Sequence, residues 1–80
     1  MKHNISNRES QVLHLIAHEN TTSEIASILF LSPYTVFDHR KSLLKKLRVR
    51  NAAGIVRRGF ELGLLQLSGH DTSQLHIQSL

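Results

Sequence analysis

Three helix-start signals follow one another in the first half of the chain, and they constrain its fold more than any other feature. Residues 6–9 (SNRE) and 21–24 (TTSE) match the capping box, in which a hydroxyl accepts from the amide three positions on and a glutamate reaches back. Ser32-Pro33 is a third start, because serine caps well and proline is tolerated at the first helical position. These signals favour several short helices around one small core.

Apolar residues at helical spacing follow each start, and Asn51 is placed to cap a further helix that Gly63 ends. We therefore predict an all-α fold, a four-helix bundle, with helices at about 7–18, 22–30, 33–47 and 51–63. Only about two residues separate the second and third helices, and so short a turn forces the sharp angle of a helix-turn-helix. The bundle is expected to occupy residues 1–65. Residues 66–80 are predicted to form a polar, flexible C-terminal tail.

The third predicted helix has two sides of different character. Val36, Leu43 and Leu47 share one side, which is predicted to pack inward. The other side mixes aromatic residues with both signs of charge, an unusual mixture for a merely solvated face: Tyr34, Phe37, Asp38, Lys41 and Lys45. This outward side is the first candidate for a binding surface.

Positive charge is concentrated in one part of the chain, whose formal net charge is +4. Eight of the ten lysines and arginines lie between positions 40 and 58, with no aspartate or glutamate among them: Arg40, Lys41, Lys45, Lys46, Arg48, Arg50, Arg57 and Arg58. Clustering of one sign indicates a polyanionic partner. The alternative is a solvated basic face without a partner.

Several other classes of protein are disfavoured by composition. The chain has no cysteine, so it has neither disulfides nor a thiolate metal site. The N-terminus lacks the apolar stretch of a signal peptide, and no apolar run approaches the ~20 residues of a membrane span, so we predict a cytoplasmic protein. His14 and His18 have the spacing of two metal ligands but no further ligands arranged around them. We predict no metal, no cofactor and no enzymatic activity.

The outward side of the third helix suits the major groove of DNA, which admits one α-helix. Lys41 is suited to donate to guanine, Asp38 to accept from cytosine, and Phe37 to pack on a thymine methyl group. Residues at the start and flanks of the helix are candidates for phosphate contacts, which position a protein without reading sequence: Ser32, Tyr34, Thr35, Arg40 and Lys45. Simpler explanations stay open at this point, because Phe37 and Tyr34 would also cover the edge of a core and Asp38 would also serve as a solvated charge.

A series of short motifs runs through residues 5–65 in a specific order: Arg8-Glu9, Val12-Leu13, Ile16-Ala17, Glu24-Ile25-Ala26, Leu29, Leu31-Ser32, Thr35-Val36, His39 and Lys46-Leu47. Their joint order and spacing resemble the LuxR/GerE-type DNA-binding domain of bacterial transcription factors. The resemblance implies a four-helix bundle whose third helix enters the major groove and whose fourth helix pairs with a copy of itself. The predicted partners are double-stranded DNA, a second copy of the chain and RNA polymerase.

The resemblance also assigns roles to particular positions. It implies that Phe37, Asp38 and Lys41 contact bases and that Thr35 contacts a phosphate. Thr22 and Ser23, at the start of the second helix, match positions that lie against the DNA backbone. These assignments add two residues of the second helix to the candidates for phosphate contacts.

Three positions depart from the family pattern. Phe37 stands where a basic residue is common, which leaves the target sequence open. Glu19 and Arg48 stand where glycine is usual, in the first turn between helices and after Lys46-Leu47. The turn after Lys46-Leu47 therefore needs another backbone solution.

The fourth helix carries more apolar surface than one short helix needs for its own bundle. The predicted contact with a second copy consists of Ala52, Ala53, Ile55, Val56 and Phe60. A two-fold dimer would bind an inverted repeat with half-sites about one helical turn apart. The alternative is that these residues fill the core of their own domain.

Two functions from different classes follow. The first is sequence-specific binding of double-stranded DNA for transcriptional regulation, with helix 33–47 reading the major groove. The second is a protein-interaction module of the same fold, in which the fourth helix or the tail recruits a partner. The strong salt dependence expected of DNA binding distinguishes them.

Overall fold

The computed structural model describes residues 4–66, which form four α-helices and no strand. The helices are α1 (Asn7–Ala17), α2 (Thr22–Leu29), α3 (Pro33–Leu47) and α4 (Ala52–Glu61). The predicted all-α, four-helix fold is confirmed, and every predicted boundary lies within two residues of the observed one. The predicted tail falls outside the described residues except for Gln66. Among the helices of residues 4–66, none combines the length and apolar character needed to span a membrane.

Both predicted capping boxes form. Ser6 Oγ accepts from the Glu9 amide at 3.0 Å, and Glu9 Oε1 accepts from the Ser6 amide at 3.0 Å. Thr21 and Glu24 make the same reciprocal pair, at 3.1 Å and 2.7 Å. Side chains also cap the other two helices, as predicted, and these are Ser32 and Asn51. The helix starts are therefore encoded within four consecutive residues each.

Each helix is followed by one residue in the left-handed conformation. These residues are Glu19 (φ 65°), Phe30 (φ 57°), Arg48 (φ 57°) and Gly63 (φ 77°). The next amide in each case donates to the carbonyl five positions earlier, at 2.8–3.1 Å, which is the Schellman motif. The expectation of another backbone solution at Arg48 is wrong, because Arg48, like Glu19, adopts the left-handed conformation that glycine would take there, at a strain of about 1 kcal/mol each.

Helices α1 and α3 form the centre of the domain, since each of them packs against the other three helices. The core draws on every helix and on the turn after α4: Val12, Leu13, Ile16, Ile25, Ala26, Val36, Leu43, Leu47, Ile55 and Leu65. The predicted inward side of α3 is confirmed, because Val36, Leu43 and Leu47 are at most 1% exposed. This burial fixes the rotation of α3 and thereby selects the side chains that it presents outward.

A partly buried ion pair joins α1 to α3. Glu9 is 6% exposed, and its carboxylate accepts from Lys46 Nζ at 2.8 Å and from Ser42 Oγ at 2.6 Å. Lys46 Nζ also donates to the Asn4 carbonyl at 2.9 Å. All these groups have partners, which is the condition under which a buried charge is tolerated.

Helix α4 sits close to its neighbours through two glycines. A Cβ at Gly54 would stand 2.7 Å from the Cβ of Val49, which is fixed to the backbone of the preceding loop. A Cβ at Gly59 would stand 2.7 Å from Cδ1 of Leu65. Gly54 therefore allows α4 to lie close to the loop that precedes it, and Gly59 allows it to lie close to the turn that follows it.

Candidate nucleic-acid interface

Helices α2 and α3 form a helix-turn-helix. Three residues, Phe30, Leu31 and Ser32, separate Leu29 from Pro33, which is one more than predicted. The left-handed Phe30 turns the chain, and the Leu31 amide donates to the Ala26 carbonyl at 2.9 Å. The two helices then pack directly against each other.

The outward side of α3 is exposed over its whole length. Tyr34 is 84% and Phe37 is 54% exposed, and Asp38, Lys41 and Lys45 are exposed as well. Phe37 and Tyr34 are mostly accessible, so only a minor part of each side chain covers the edge of the core. We refer to these five residues as the reading face.

Two members of the reading face contact each other. Lys41 Nζ lies 5.5 Å from the centroid of the Phe37 ring, a cation–π arrangement one helical turn apart. Such a contact at an exposed site contributes roughly 0.5–1 kcal/mol. It holds the ammonium group over the ring, so the apolar and the charged parts of the reading face lie side by side.

The starts of α2 and α3 meet at a shallow groove of about 320 Å³ lined by Thr22, Pro33, Tyr34 and Phe37. Thr22 is half-buried and its neighbour Ser23 is exposed. The first turns of both helices therefore border one surface, and their unpaired amides favour a negatively charged group there.

Two hydroxyl groups predicted to contact phosphate already pair with each other. Ser32 Oγ accepts from the Thr35 amide at 3.1 Å, and it lies 3.1 Å from Thr35 Oγ1. Each hydroxyl has further hydrogen-bonding capacity, since a hydroxyl donates once and accepts twice. The cap thus orients the Thr35 side chain at the start of the reading face.

The basic cluster divides into paired and unpaired residues. Lys46 pairs with Glu9, while Arg57 and Arg58 both contact Glu61, at 2.9 Å and 3.0 Å. Within residues 4–66, the other five members have no carboxylate within salt-bridge distance: Arg40, Lys41, Lys45, Arg48 and Arg50. The charge open to an external anion is therefore on α3 and the loop that follows it.

Two carboxylates have lowered pKa values because of these pairs. For Glu9, burial alone would raise the pKa, but hydrogen bonds from Lys46, Ser42 and the Ser6 amide outweigh it and lower the pKa to about 2. Hydrogen bonds from Arg58 and Arg57 lower the pKa of Glu61, which is exposed. Both groups are thus held in their charged form, and they neutralise three basic residues of the cluster.

Arg40 lies apart from the other predicted phosphate contacts. It lines a groove of about 600 Å³ on the side where α1 and α4 meet, together with Ala52, Val56 and Arg57. Lys45, in contrast, is exposed on the same side of α3 as Lys41. The structure therefore brings together the predicted phosphate residues of α2 and α3 and leaves Arg40 at their flank.

The residues predicted to contact a second copy differ in exposure. Ile55 is 1% exposed and packs in the core of its own chain, so it offers no surface, and the alternative explanation holds for this residue. Ala52 and Val56 are half-buried, while Ala53 is exposed and Phe60 is 40% exposed. The part of α4 that is open to a partner therefore consists of four of the five predicted residues.

The two histidines of α1 have local partners. The Nδ1 atoms of His14 and His18 lie 2.8 Å and 2.9 Å from backbone carbonyls one turn earlier, which assigns the proton to Nδ1. In the part of the chain that the structure describes, no three histidine or acidic side chains gather into a possible metal site.

Two basic residues near the reading face were not among the predicted site residues. Arg48 and Arg50 are exposed in the loop between α3 and α4. The position of Arg48 was a signal, because it directly follows the predicted third helix and lies three positions after Lys45. Arg50 has no such signal, since it lies beyond the helix and its position depends on the course of the loop.

A helix-turn-helix whose second helix has an exposed side with unpaired positive charge is typical of DNA-binding proteins. Comparison with known families gives the same result. Residues 3–58 match the model of the bacterial regulatory proteins of the luxR family. The chain belongs to this family, a family of DNA-binding transcription regulators rather than of enzymes, and the resemblance found in its motifs is confirmed.

Individual relatives agree with the family. The chain is 40% identical over 60 residues to the uncharacterized response regulatory protein YgeK of Escherichia coli and 36% identical over 63 residues to the spore germination protein GerE of Bacillus subtilis. It is 42% identical over 57 residues to the transcriptional regulatory protein UhpA of Escherichia coli. These matches cover 75%, 79% and 71% of the chain, and 41%, 85% and 29% of the three relatives. The chain thus spans less than half of YgeK but most of GerE.

Proposed function

We propose that this chain regulates transcription by binding a specific sequence of double-stranded DNA, with α3 in the major groove. The observation that carries the proposal is the reading face, in which Phe37, Asp38 and Lys41 are exposed on a helix whose opposite side is locked into the core. A major groove about 12 Å wide accepts one such helix. The family membership supports DNA as the partner.

Base contacts are proposed for three residues of the reading face. Lys41 donates to guanine O6 or N7, Asp38 accepts from cytosine N4, and Phe37 contacts a thymine methyl group. The contact between Lys41 and Phe37 sets these functions beside each other. The proposed site therefore combines an apolar and a charged contact on neighbouring base pairs.

Phosphate contacts are proposed where the starts of the two helices border one groove. Five of the proposed residues lie in or just before the first turns of α2 and α3: Thr22, Ser23, Ser32, Tyr34 and Thr35. Lys45 lies farther along the reading face. These contacts set the register of α3 without discriminating sequence. Arg40 is kept as a flanking contact, although it faces the groove beside α4.

A homodimer on an inverted repeat is the proposed assembly. The accessible apolar surface of α4 is formed by Ala52, Ala53, Val56 and Phe60. Ile55 is buried beneath this surface and packs in the core. A contact with RNA polymerase and a cytoplasmic location stay predictions. The absence of enzymatic activity also stays a prediction.

Selection of bound duplexes from a random pool tests the proposal. We expect one enriched motif and a binding constant whose logarithm falls by about 0.9 per logarithmic unit of salt for each phosphate contact. Two copies of the motif in inverted orientation would support the dimer. Absence of duplex binding even at low salt would instead favour the alternative, a protein-interaction module.

A further inference from the structure

An arginine-lined pocket lies between the end of α3 and the start of α4. Its volume is about 450 Å³, and its lining includes three arginines, Arg48, Arg50 and Arg57, and no acidic residue. We call it the arginine pocket. The remaining lining residues are small, apolar or neutral: Val49, Asn51, Ala53 and Gly54.

The charge of this pocket is largely available to an external anion. Arg57 contacts Glu61 at 2.9 Å, but Arg48 and Arg50 are exposed and have no carboxylate within salt-bridge distance among residues 4–66. A guanidinium group presents five donors in a planar fork that matches phosphate oxygens. Two such groups bordering one pocket favour a phosphate over a neutral ligand.

The arginine pocket continues the reading face. Arg48 is the residue that directly follows α3, three positions after Lys45 and seven after Lys41, so it lies at the end of the helix that carries both lysines. At a rise of about 1.5 Å per residue, Arg48 lies roughly 16 Å beyond Phe37 along the helix axis. The major groove is about 12 Å wide, so a helix that reads bases with its first half reaches the flanking backbone with its end.

We propose that the arginine pocket binds a phosphate of the DNA backbone beyond the bases that α3 reads, through Arg48 and Arg50. The inference rests on the proposed function and adds a contact site that is separate from the starts of α2 and α3. Its continuity with Lys41 and Lys45 favours DNA over an acidic protein segment as the source of the anion. Because phosphates are alike at every sequence, this site contributes affinity and not specificity.

The test compares salt dependence in the 80-residue chain and its Arg48→Gln/Arg50→Gln variant. Loss of this phosphate contact is expected to reduce the magnitude of the logarithmic salt slope by about 0.9. Binding should weaken by the same factor on the selected duplex and on a random duplex. Arg8→Gln is the matched control, since Arg8 is exposed on α1, and its slope should equal that of the unmodified chain.

A second measurement locates the contact on the DNA. Single phosphates of the selected duplex are replaced by uncharged methylphosphonates, one position at a time. We expect a position outside the enriched bases at which the replacement weakens the unmodified chain but no longer affects the double variant. Thermal unfolding of each variant verifies that the fold is retained.

The outcomes separate this inference from the proposed function. An unchanged slope in the double variant, or an equal change in Arg8→Gln, overturns the phosphate site while leaving duplex binding intact. An altered monomer–dimer equilibrium with an unchanged slope would assign the pocket to an acidic group of another protein copy and overturns it as well. Failure of the unmodified chain to bind any duplex refutes the proposed function together with this inference.

Discussion

At the scale of single residues, Glu9 shows how strongly one side chain depends on its partners. Its carboxylate is buried, yet its pKa is lowered to about 2, because three hydrogen bonds favour the charged form more than burial opposes it. The same carboxylate serves α1 as a cap and α3 as an ion-pair partner. Its replacement would therefore affect both a helix start and a contact between helices.

This lowered pKa predicts acid sensitivity. The unfolded chain binds a proton at Glu9 near the ordinary value of 4.5, and the folded chain does so only near 2. The stabilisation is therefore complete above about pH 5 and is lost as the pH falls toward about 2. Because the Lys46 side chain is 31% exposed and partly screened, we expect a contribution of about 2–3 kcal/mol rather than the full value of the shift.

Urea unfolding between about pH 7 and pH 2 measures the effect. Glu9→Gln should be less stable at neutral pH and should show a flatter dependence of the unfolding free energy on pH. The matched control is Glu61→Gln, which removes an exposed carboxylate and should retain most of the dependence. Equal pH profiles for the unmodified chain and Glu9→Gln would contradict the assignment.

A second residue-scale prediction distinguishes base contacts from phosphate contacts. Lys41→Ala should cost about 1–3 kcal/mol of binding free energy on the selected sequence and much less on random DNA, if Lys41 reads a base. Lys45→Ala is the control, since it removes the same charge one turn away and should weaken both duplexes alike. Competition binding with the two duplexes measures the difference, and an equal loss for Lys41→Ala would reassign Lys41 to a phosphate.

At the scale of elements, each helix is delimited by a cap and a left-handed residue. The caps follow the usual preference for serine, threonine or asparagine, but three of the four left-handed positions are not glycine. Phe30 combines this conformation with 94% exposure, so neither its backbone nor its burial explains a large aromatic residue there. We have no structural account of this choice.

The left-handed positions predict a stabilising substitution. Glu19→Gly removes the steric strain at φ 65° but makes the unfolded chain more flexible, so we expect a net gain of at most about 0.5 kcal/mol. Gln11→Gly, at an exposed position within α1, should instead lose about 1 kcal/mol. Thermal unfolding compares the two, and a loss of stability at both positions would show that Glu19 is not strained.

At the scale of the whole molecule, the proposed dimer depends on how α4 is divided between core and surface. Ile55 and Gly59 are buried, so one side of α4 packs against its own domain and is not accessible to a partner. Ala53 borders both the arginine pocket and the groove beside Arg40. A partner on α4 would therefore lie next to the proposed DNA surface.

This arrangement predicts the effect of a charge on α4. Ala53→Glu should place like charges near each other across a two-fold axis and prevent the second copy from binding an inverted repeat cooperatively. Sedimentation on a duplex with two half-sites should then show one protein per duplex at concentrations where the unmodified chain loads two. Gln11→Glu is the matched control on α1, and a duplex with a single half-site corrects for any direct effect on DNA binding. Unaltered cooperative loading by Ala53→Glu would refute the predicted contact.

The sequence by itself determined where the helices begin and which side of α3 faces inward. Both depend on local relations, since a cap spans three or four residues and a buried stripe repeats with the helix. Tertiary structure alone decided which basic residues remain unpaired, because Lys46 meets Glu9 from 37 positions away. It also decided that Ile55 belongs to the core of its own chain and not to the surface of α4. Such pairings depend on how the helices pack, and no short stretch of sequence contains that information.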